Sequence, residues 1–174
     1  MKRTVFYIKP NEESSTLFQS IVNDLAKSCD GPVFSPHLTF YTGKLSEDES
    51  AEKILRESVK NTKPFLLTPK KIEFGDSFTR SFYLSFELPE ALKELSNRLK
   101  GQTKSPEDYE LSPHLSLAYT SIPVDIRRGL ADKINKFNEP ILFDSAGALQ
   151  TPDTVTNLED IQNSKHISYF NLIK

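Results

Sequence analysis

The chain reads as an α+β protein: two pseudo-symmetric, mostly antiparallel-sheet lobes with outer helices around a central cleft. Three observations carry that expectation. Ser35-Pro36-His37-Leu38-Thr39 returns as Ser112-Pro113-His114-Leu115-Ser116, so one short strand-like unit occurs twice. Each copy lies between two amphipathic helical stretches and is followed by strand-like alternation, so the repeat extends to the order of elements. Apolar residues switch between a spacing of two and one near 3.6, the marks of half-buried strands and of helices packed on one side. With 174 residues, 37% of them hydrophobic, there is apolar side chain for an ordinary core, and residues 1–174 are expected to form a single domain of two intertwined lobes.

Thr4 to Lys9 is the first expected strand, with Phe6 and Ile8 toward one side and Val5 and Tyr7 toward the other. Pro10 to Ser15 reads as a turn; Leu17, Phe18, Ile21, Val22 and Leu25 then recur at helical spacing. Asp30-Gly31-Pro32 ends that helix and leads to the first His strand, about Pro36 to Thr42. Ser46 with Glu49 forms a capping box for a helix carrying Ala51, Ile54, Leu55 and Val59. Two strands follow, near Phe65 to Phe74 and Arg80 to Glu87, turning around Gly75-Asp76-Ser77. Pro89 opens a helix with Leu92, Leu95 and Leu99 on one face. A polar loop, Gly101 to Glu110, precedes the second His strand, Pro113 to Tyr119. Ile126, Leu130, Ile134 and Phe137 mark a last amphipathic helix. Strands at Ile141 to Gln150 and Ile167 to Ile173 follow, separated by a polar loop around Thr151 to Lys165.

A formal net charge of -2 and a pI near 6.0 give no field that would draw nucleic acid regardless of its sequence, while small anionic ligands stay open. The lone Cys29 excludes an intramolecular disulfide and fits a reducing compartment. The opening apolar run is too short for a signal peptide, and no later stretch is long enough to span a membrane. A monomeric cytoplasmic protein with no membrane partner is expected.

Chemistry concentrates in the repeated unit. Side chains at i and i+2 of a strand point the same way, so His37 shares a face with Thr39 and His114 with Ser116; Leu38 and Leu115 point into a core. Two imidazoles titrating near neutrality can serve as general base and general acid. The two hydroxyls can donate to non-bridging oxygens where transition-state charge grows. A phosphodiester has two sides for acid and base and two free oxygens for two hydroxyls. Competing constellations are weak: no His-Glu-x-x-His or acidic cluster accompanies the histidines, so no metal is expected. No Gly-x-Ser-x-Gly elbow or Gly-rich phosphate loop occurs. His166 stands outside any such motif and is expected to be a surface or strand-end residue, and Lys70-Lys71 and Lys100 to Lys104 are expected to be solvated.

His37-Leu38-Thr39-Phe40 and His114-Leu115-Ser116-Leu117 resemble the paired His-hydrophobic-Thr/Ser-hydrophobic motifs of the two-histidine (2H) phosphoesterase superfamily. Ser112-Pro113-His114-Leu115-Ser116-Leu117-Ala118-Tyr119 looks like the second motif of its cyclic phosphodiesterase branch (2′,3′-cyclic nucleotide 3′-phosphodiesterase-like). Arg80-Ser81-Phe82-Tyr83-Leu84 and Tyr7-Ile8-Lys9-Pro10 are similar to strands of that branch, and the likeness in element order covers nearly the whole chain. The resemblance implies cofactor-free, metal-independent hydrolysis of 2′,3′-cyclic nucleotides to 2′-phosphates. It also implies hydrolysis of ADP-ribose 1″,2″-cyclic phosphate, a tRNA-splicing by-product, to the 1″-phosphate. His37 and His114 would be the acid/base pair, and Thr39 and Ser116 would bind phosphate. Tyr7 and Tyr119 would flank the base or sugar, and Arg80 would contact the phosphate. Phe78 or Tyr83 would replace the aromatic residue for which Thr79 stands. Strict alternation puts Tyr119 on the Leu115 face, so its role requires a bend or bulge. The other readings are an RNA-end or cyclic-oligonucleotide phosphodiesterase of the same superfamily, or a non-catalytic nucleotide-binding module. The Gly101 to Glu110 loop either covers the cleft or is a surface connection.

Overall fold

In the computed structural model, which describes residues 2–134 and 137–173, the chain alternates strands and helices in two similar runs. The first is β1 (Lys2–Pro10), α1 (Glu12–Ser28), β2 (Leu38–Gly43), α2 (Ala51–Val59), then β3 (Phe65–Leu67) and β4 (Pro69–Phe74). The second is β5 (Phe82–Phe86), α3 (Glu90–Gln102), β6 (His114–Ala118), α4 (Val124–Ile134) and β7 (Ile141–Pro152), followed by α5 (Leu158–Gln162) and β8 (Lys165–Asn171). The described residues form one antiparallel sheet in the order β3-β7-β1-β2-β6-β5-β4, with β8 also paired to β7. The two expected lobes are its halves, and they meet where β2 and β6 pair through Leu38 and Leu115. Each run sends its last strand across: β4 pairs with β5, and β7 pairs with β1.

The pseudo-twofold runs through the Leu38–Leu115 pair and extends to the register around it. Thr39 faces Tyr7 and Tyr41 faces Phe6, so Phe40 is an extra residue in β2. Ser116 faces Tyr83 and Ala118 faces Phe82, so Leu117 is the equivalent extra residue in β6. A bulge of this kind inverts the alternation beyond it. It turns Thr42 and Tyr119 back to the face of Thr39 and Ser116.

The other face is the core. Phe6, Ile8, Leu38, Phe40, Leu84 and Leu115 are buried there with Phe18 and Leu25 of α1 and Leu92, Leu95 and Leu99 of α3. α1 packs on β6 and β1, and α3 on β2, so each His strand is covered by the other run's helix. This burial is the main stabilising term.

Several local expectations are corrected. The segment read as a turn up to Ser15 is already helical, because the Asn11 side chain accepts from Ser14 N–H (3.2 Å) and Glu12 and Glu13 occupy the first turn. Ser50, not Ser46, caps α2, accepting from Lys53 N–H; Ser46 and Glu49 instead close the turn before it. The strand expected over Phe65 to Phe74 breaks at Thr68, and its two parts join opposite halves of the sheet. The loop read from Thr151 to Lys165 holds α5, and β7 runs on to Pro152. The side chain of Ile134, expected on the stripe of α4, lies outside the described residues. Among the described residues no helix is long and apolar enough to cross a membrane.

Candidate active site

A cleft of about 680 Å³ opens on the sheet face opposite α1 and α3, and His37, Thr39, His114 and Ser116 all line it. The antiparallel Leu38–Leu115 pair brings them together. One residue to either side of it, the register sets His37 across from Ser116 and Thr39 across from His114. The buried Pro36 and Pro113 precede the histidines. Each imidazole Nδ1 lies 2.8 Å from the carbonyl two residues earlier, His37 on Ser35 and His114 on Ser112. A carbonyl can only accept, so Nδ1 carries the hydrogen and Nε2 is the unprotonated nitrogen of each neutral ring.

Both rings are held neutral. Burial pushes His37 down to about 4; the Ser35 hydrogen bond opposes this, and Lys9, His114 and His166 reinforce it. Burial also lowers His114, against its bond to Ser112; Arg80 adds to the lowering and Glu73 counters it. Ser116 Oγ donates to the Thr79 carbonyl at 2.7 Å, so it must rotate to donate to a ligand.

The expected flanking residues divide. Tyr119 lines the cleft, turned there by the Leu117 bulge, and stacks on Phe34 at 3.7 Å with 5° between planes. Burial raises its hydroxyl pKa. Tyr7 also lines the cleft, its ring 4.8 Å from that of His37. Arg80 and Tyr83, expected to contact the ligand, are not among the residues lining it; they stand beside His114. Tyr83 lies edge-on to His114 at 5.4 Å, and the Arg80 guanidinium covers Tyr83 at 4.5 Å while donating to Ser112 Oγ at 3.1 Å. Both therefore buttress His114 and the carbonyl that orients it. Phe78 and Thr79 do line the cleft, carried there by a 3₁₀ turn over Phe78–Arg80.

Three cleft residues escaped the motif reading. Phe34 directly precedes the first repeat, and that position was its one sequence signal. Tyr109 comes from the loop before β6 and donates to the Thr39 carbonyl at 3.4 Å. His166, expected on the surface, is exposed but also lines the cleft, with Nδ1 3.3 Å from the Tyr7 hydroxyl. The loop expected from Gly101 to Glu110 begins only after α3 ends at Gln102, and it is tied across the end of β2. Glu107 accepts from Lys44 N–H at 2.8 Å and pairs with Arg3 at 2.9 Å, and its own N–H donates to Tyr41 Oη at 2.9 Å. Cations at this rim are neutralised: Asp153 pairs with Arg3 at 3.4 Å and with Lys44 at 2.8 Å. Among the described residues no three His, Cys, Asp or Glu side chains group closely enough to hold a metal ion.

Comparison with known proteins adds three findings. A family model described as the 2′-5′ RNA ligase superfamily matches residues 30–147. A curated protein of Arabidopsis thaliana named cyclic phosphodiesterase is 23% identical over 124 residues, which is 71% of this chain and 68% of the relative. Among solved structures, E. coli LigT in its apo form matches with a TM-score of 0.59 at 19% identity, over 99% of this chain and 98% of that one. LigT complexed with 3′-AMP matches with a TM-score of 0.55 at 16% identity, over 99% of each chain. A Thermus thermophilus protein matches with a TM-score of 0.58 at 14% identity, over 98% of this chain and 97% of that one. At these identities the structural likeness establishes a shared fold.

Proposed function

Because the chain belongs to the 2′-5′ RNA ligase superfamily, the two-histidine phosphoesterases, we propose that it is a phosphodiesterase opening small cyclic phosphates on nucleotides. The observation that carries this is the pair of matched Nδ1–carbonyl hydrogen bonds, which leave one proton-transfer nitrogen free on each side of the cleft. The name of the Arabidopsis relative supports the same reaction class.

In this reading Thr39 and Ser116 donate to the two non-bridging oxygens, Ser116 after leaving the Thr79 carbonyl. His37 Nε2 takes a proton from water as the water oxygen bonds to phosphorus. His114 gives a proton to the ribose oxygen as its bond to phosphorus breaks. The order follows from burial, which pushes His37 down to about 4 and makes it the ring that resists a proton, while Arg80 and Glu73 act on His114 in opposite directions. The anionic phosphate raises the proton affinity of both rings, so the complex takes up the proton that His114 delivers. A 2′,3′-cyclic nucleotide yields the 2′-phosphate, and ADP-ribose 1″,2″-cyclic phosphate the 1″-phosphate. Paired cations at the rim favour such small substrates over a long RNA, which needs free cationic side chains along its backbone. Proton transfer and hydroxyl donation need no metal, so activity survives EDTA, and its loss on chelation would sink the mechanism.

A phosphorus NMR panel tests the reading. It contains 2′,3′-cyclic AMP and GMP, ADP-ribose 1″,2″-cyclic phosphate, a 3′,5′-cyclic nucleotide and a short RNA with a cyclic end. Turnover of the small 2′,3′- or 1″,2″-cyclic phosphates is expected, with losses of about 10²–10⁴-fold in His37→Ala and His114→Ala. Turnover of the RNA alone would move the assignment to an RNA-end enzyme. Binding without turnover of any of them would make the protein a nucleotide-binding module.

A further inference from the structure

We propose that Tyr7 and His166 form a positioning pair for His37: the Tyr7 ring bears on the imidazole, and His166 fixes the Tyr7 hydroxyl. The functional consequence rests on the acid/base role given to His37 above. The placement rests on contacts from three sides. His37 lies 4.8 Å away between ring centroids, and the hydroxyl meets His166 Nδ1 at 3.3 Å. On the third side is the backbone of β7 at Gly147, where a Cβ would come within 2.3 Å of Tyr7 Cζ. Only glycine leaves room for the ring there. Tyr7 is 3% exposed, so it has little free face for a base to stack on. Its proton is firmly held, burial and Tyr169 pushing the phenol up to about 12. In the proposed pair Tyr7 is thus the donor and His166 accepts at Nδ1.

The pseudo-twofold supplies an independent argument. Tyr7 faces Thr39 across the ladder as Tyr83 faces Ser116, and each tyrosine packs against its half's histidine. Tyr83 does not line the cleft, so what the two tyrosines share is contact with the imidazole rather than with a ligand. Their anchors differ: Arg80 over the ring in one half, His166 at the hydroxyl in the other. A histidine outside both motifs would in this way support one of them.

The test compares Tyr7→Phe, His166→Ala, His166→Asn and the double variant Tyr7→Phe/His166→Ala on whichever cyclic phosphate the wild type turns over. Tyr7→Phe and His166→Ala are each expected to lower kcat by about 3- to 10-fold, the size of one lost neutral hydrogen bond, with KM held within about twofold. The double variant should be no worse than the poorer single variant, because both remove the same bond. Asn, whose amide oxygen can accept from the phenol, should recover most of the loss. A raised KM with kcat retained would overturn the proposal in favour of ligand contact. Losses that multiply in the double variant, or Asn as impaired as Ala, would also overturn it. Nitrogen-15 shifts of the His37 ring give a readout free of turnover and should move in both single variants. If the wild type opens no cyclic phosphate, the functional reading fails by itself; unmoved His37 shifts would then reject the positioning pair as well.

Discussion

At each histidine one ring nitrogen is committed to structure and the other is left for chemistry, by the same bond to a carbonyl two residues back. What distinguishes the two residues is their surroundings, and this yields a kinetic prediction. The free protein needs neutral His37 and protonated His114. His37 titrates near 4 and His114 below its ordinary value, so kcat/KM should follow a bell lying on the acid side of neutrality. Bound phosphate stabilises both imidazolium forms, so the bell for kcat should lie at higher pH. pH–rate profiles check both statements, and a kcat/KM still rising above pH 7.5 would contradict them. Roles are separated by the leaving group. An aryl phosphodiester with a nitrophenolate leaving group needs no proton, so His114→Ala should retain far more of its activity on it than His37→Ala. Equal losses would reverse or abolish the assignment.

The element that carries the first motif is stabilised at its irregular point. Phe40 is the extra residue of β2, and its carbonyl accepts from Ser96 Oγ of α3 at 2.8 Å. Both residues are buried, so no water replaces that donor in Ser96→Ala. The substitution should cost about 1–3 kcal/mol, or roughly 2–4 °C in Tm per kcal/mol for a chain of this size, measured by thermal unfolding. A change no larger than that from the exposed Ser20→Ala would mean that the bulge needs no such support. Most strands and the four longer helices were legible, because alternation and helical spacing are local properties; the short α5, with one turn and no buried residue, left no such pattern. The His-Leu-hydroxyl units and their duplication were legible too, since each copy is spelled within five residues; the bulge before Tyr119 followed only from the role that the resemblance implied for that residue. The break at Thr68 was not, because it records which strand comes alongside. The places of His166 and Tyr109 in the cleft and of Arg80 over Tyr83 depend on contacts between elements remote in sequence, and no spacing encodes them.

Over the whole molecule, the two runs exchange their last strands, and each covers the other's His strand with its own helix. Opening the site therefore means undoing both halves, and a single unfolding transition is expected. The seam between them holds two imidazoles with lowered proton affinity, which couples the site to global stability. An unfolded His37 takes up a proton near its ordinary pKa of about 6.5, whereas the folded one resists until about 4. Between those values the unfolded chain binds more protons, so stability falls as pH drops from 6.5 to 4 and this contribution is exhausted below 4. Its ceiling is on the order of 3 kcal/mol. Urea unfolding of the wild type and His37→Gln at pH 7.5 and 4.5 isolates it. Glutamine cannot titrate, so the variant should lose distinctly less stability on acidification than the wild type. Equal losses would mean that His37 is not shielded from protons in the folded state. The acid limb of the proposed mechanism would then lose its physical basis, since the burial that keeps the base neutral is the same burial that makes the fold acid-sensitive.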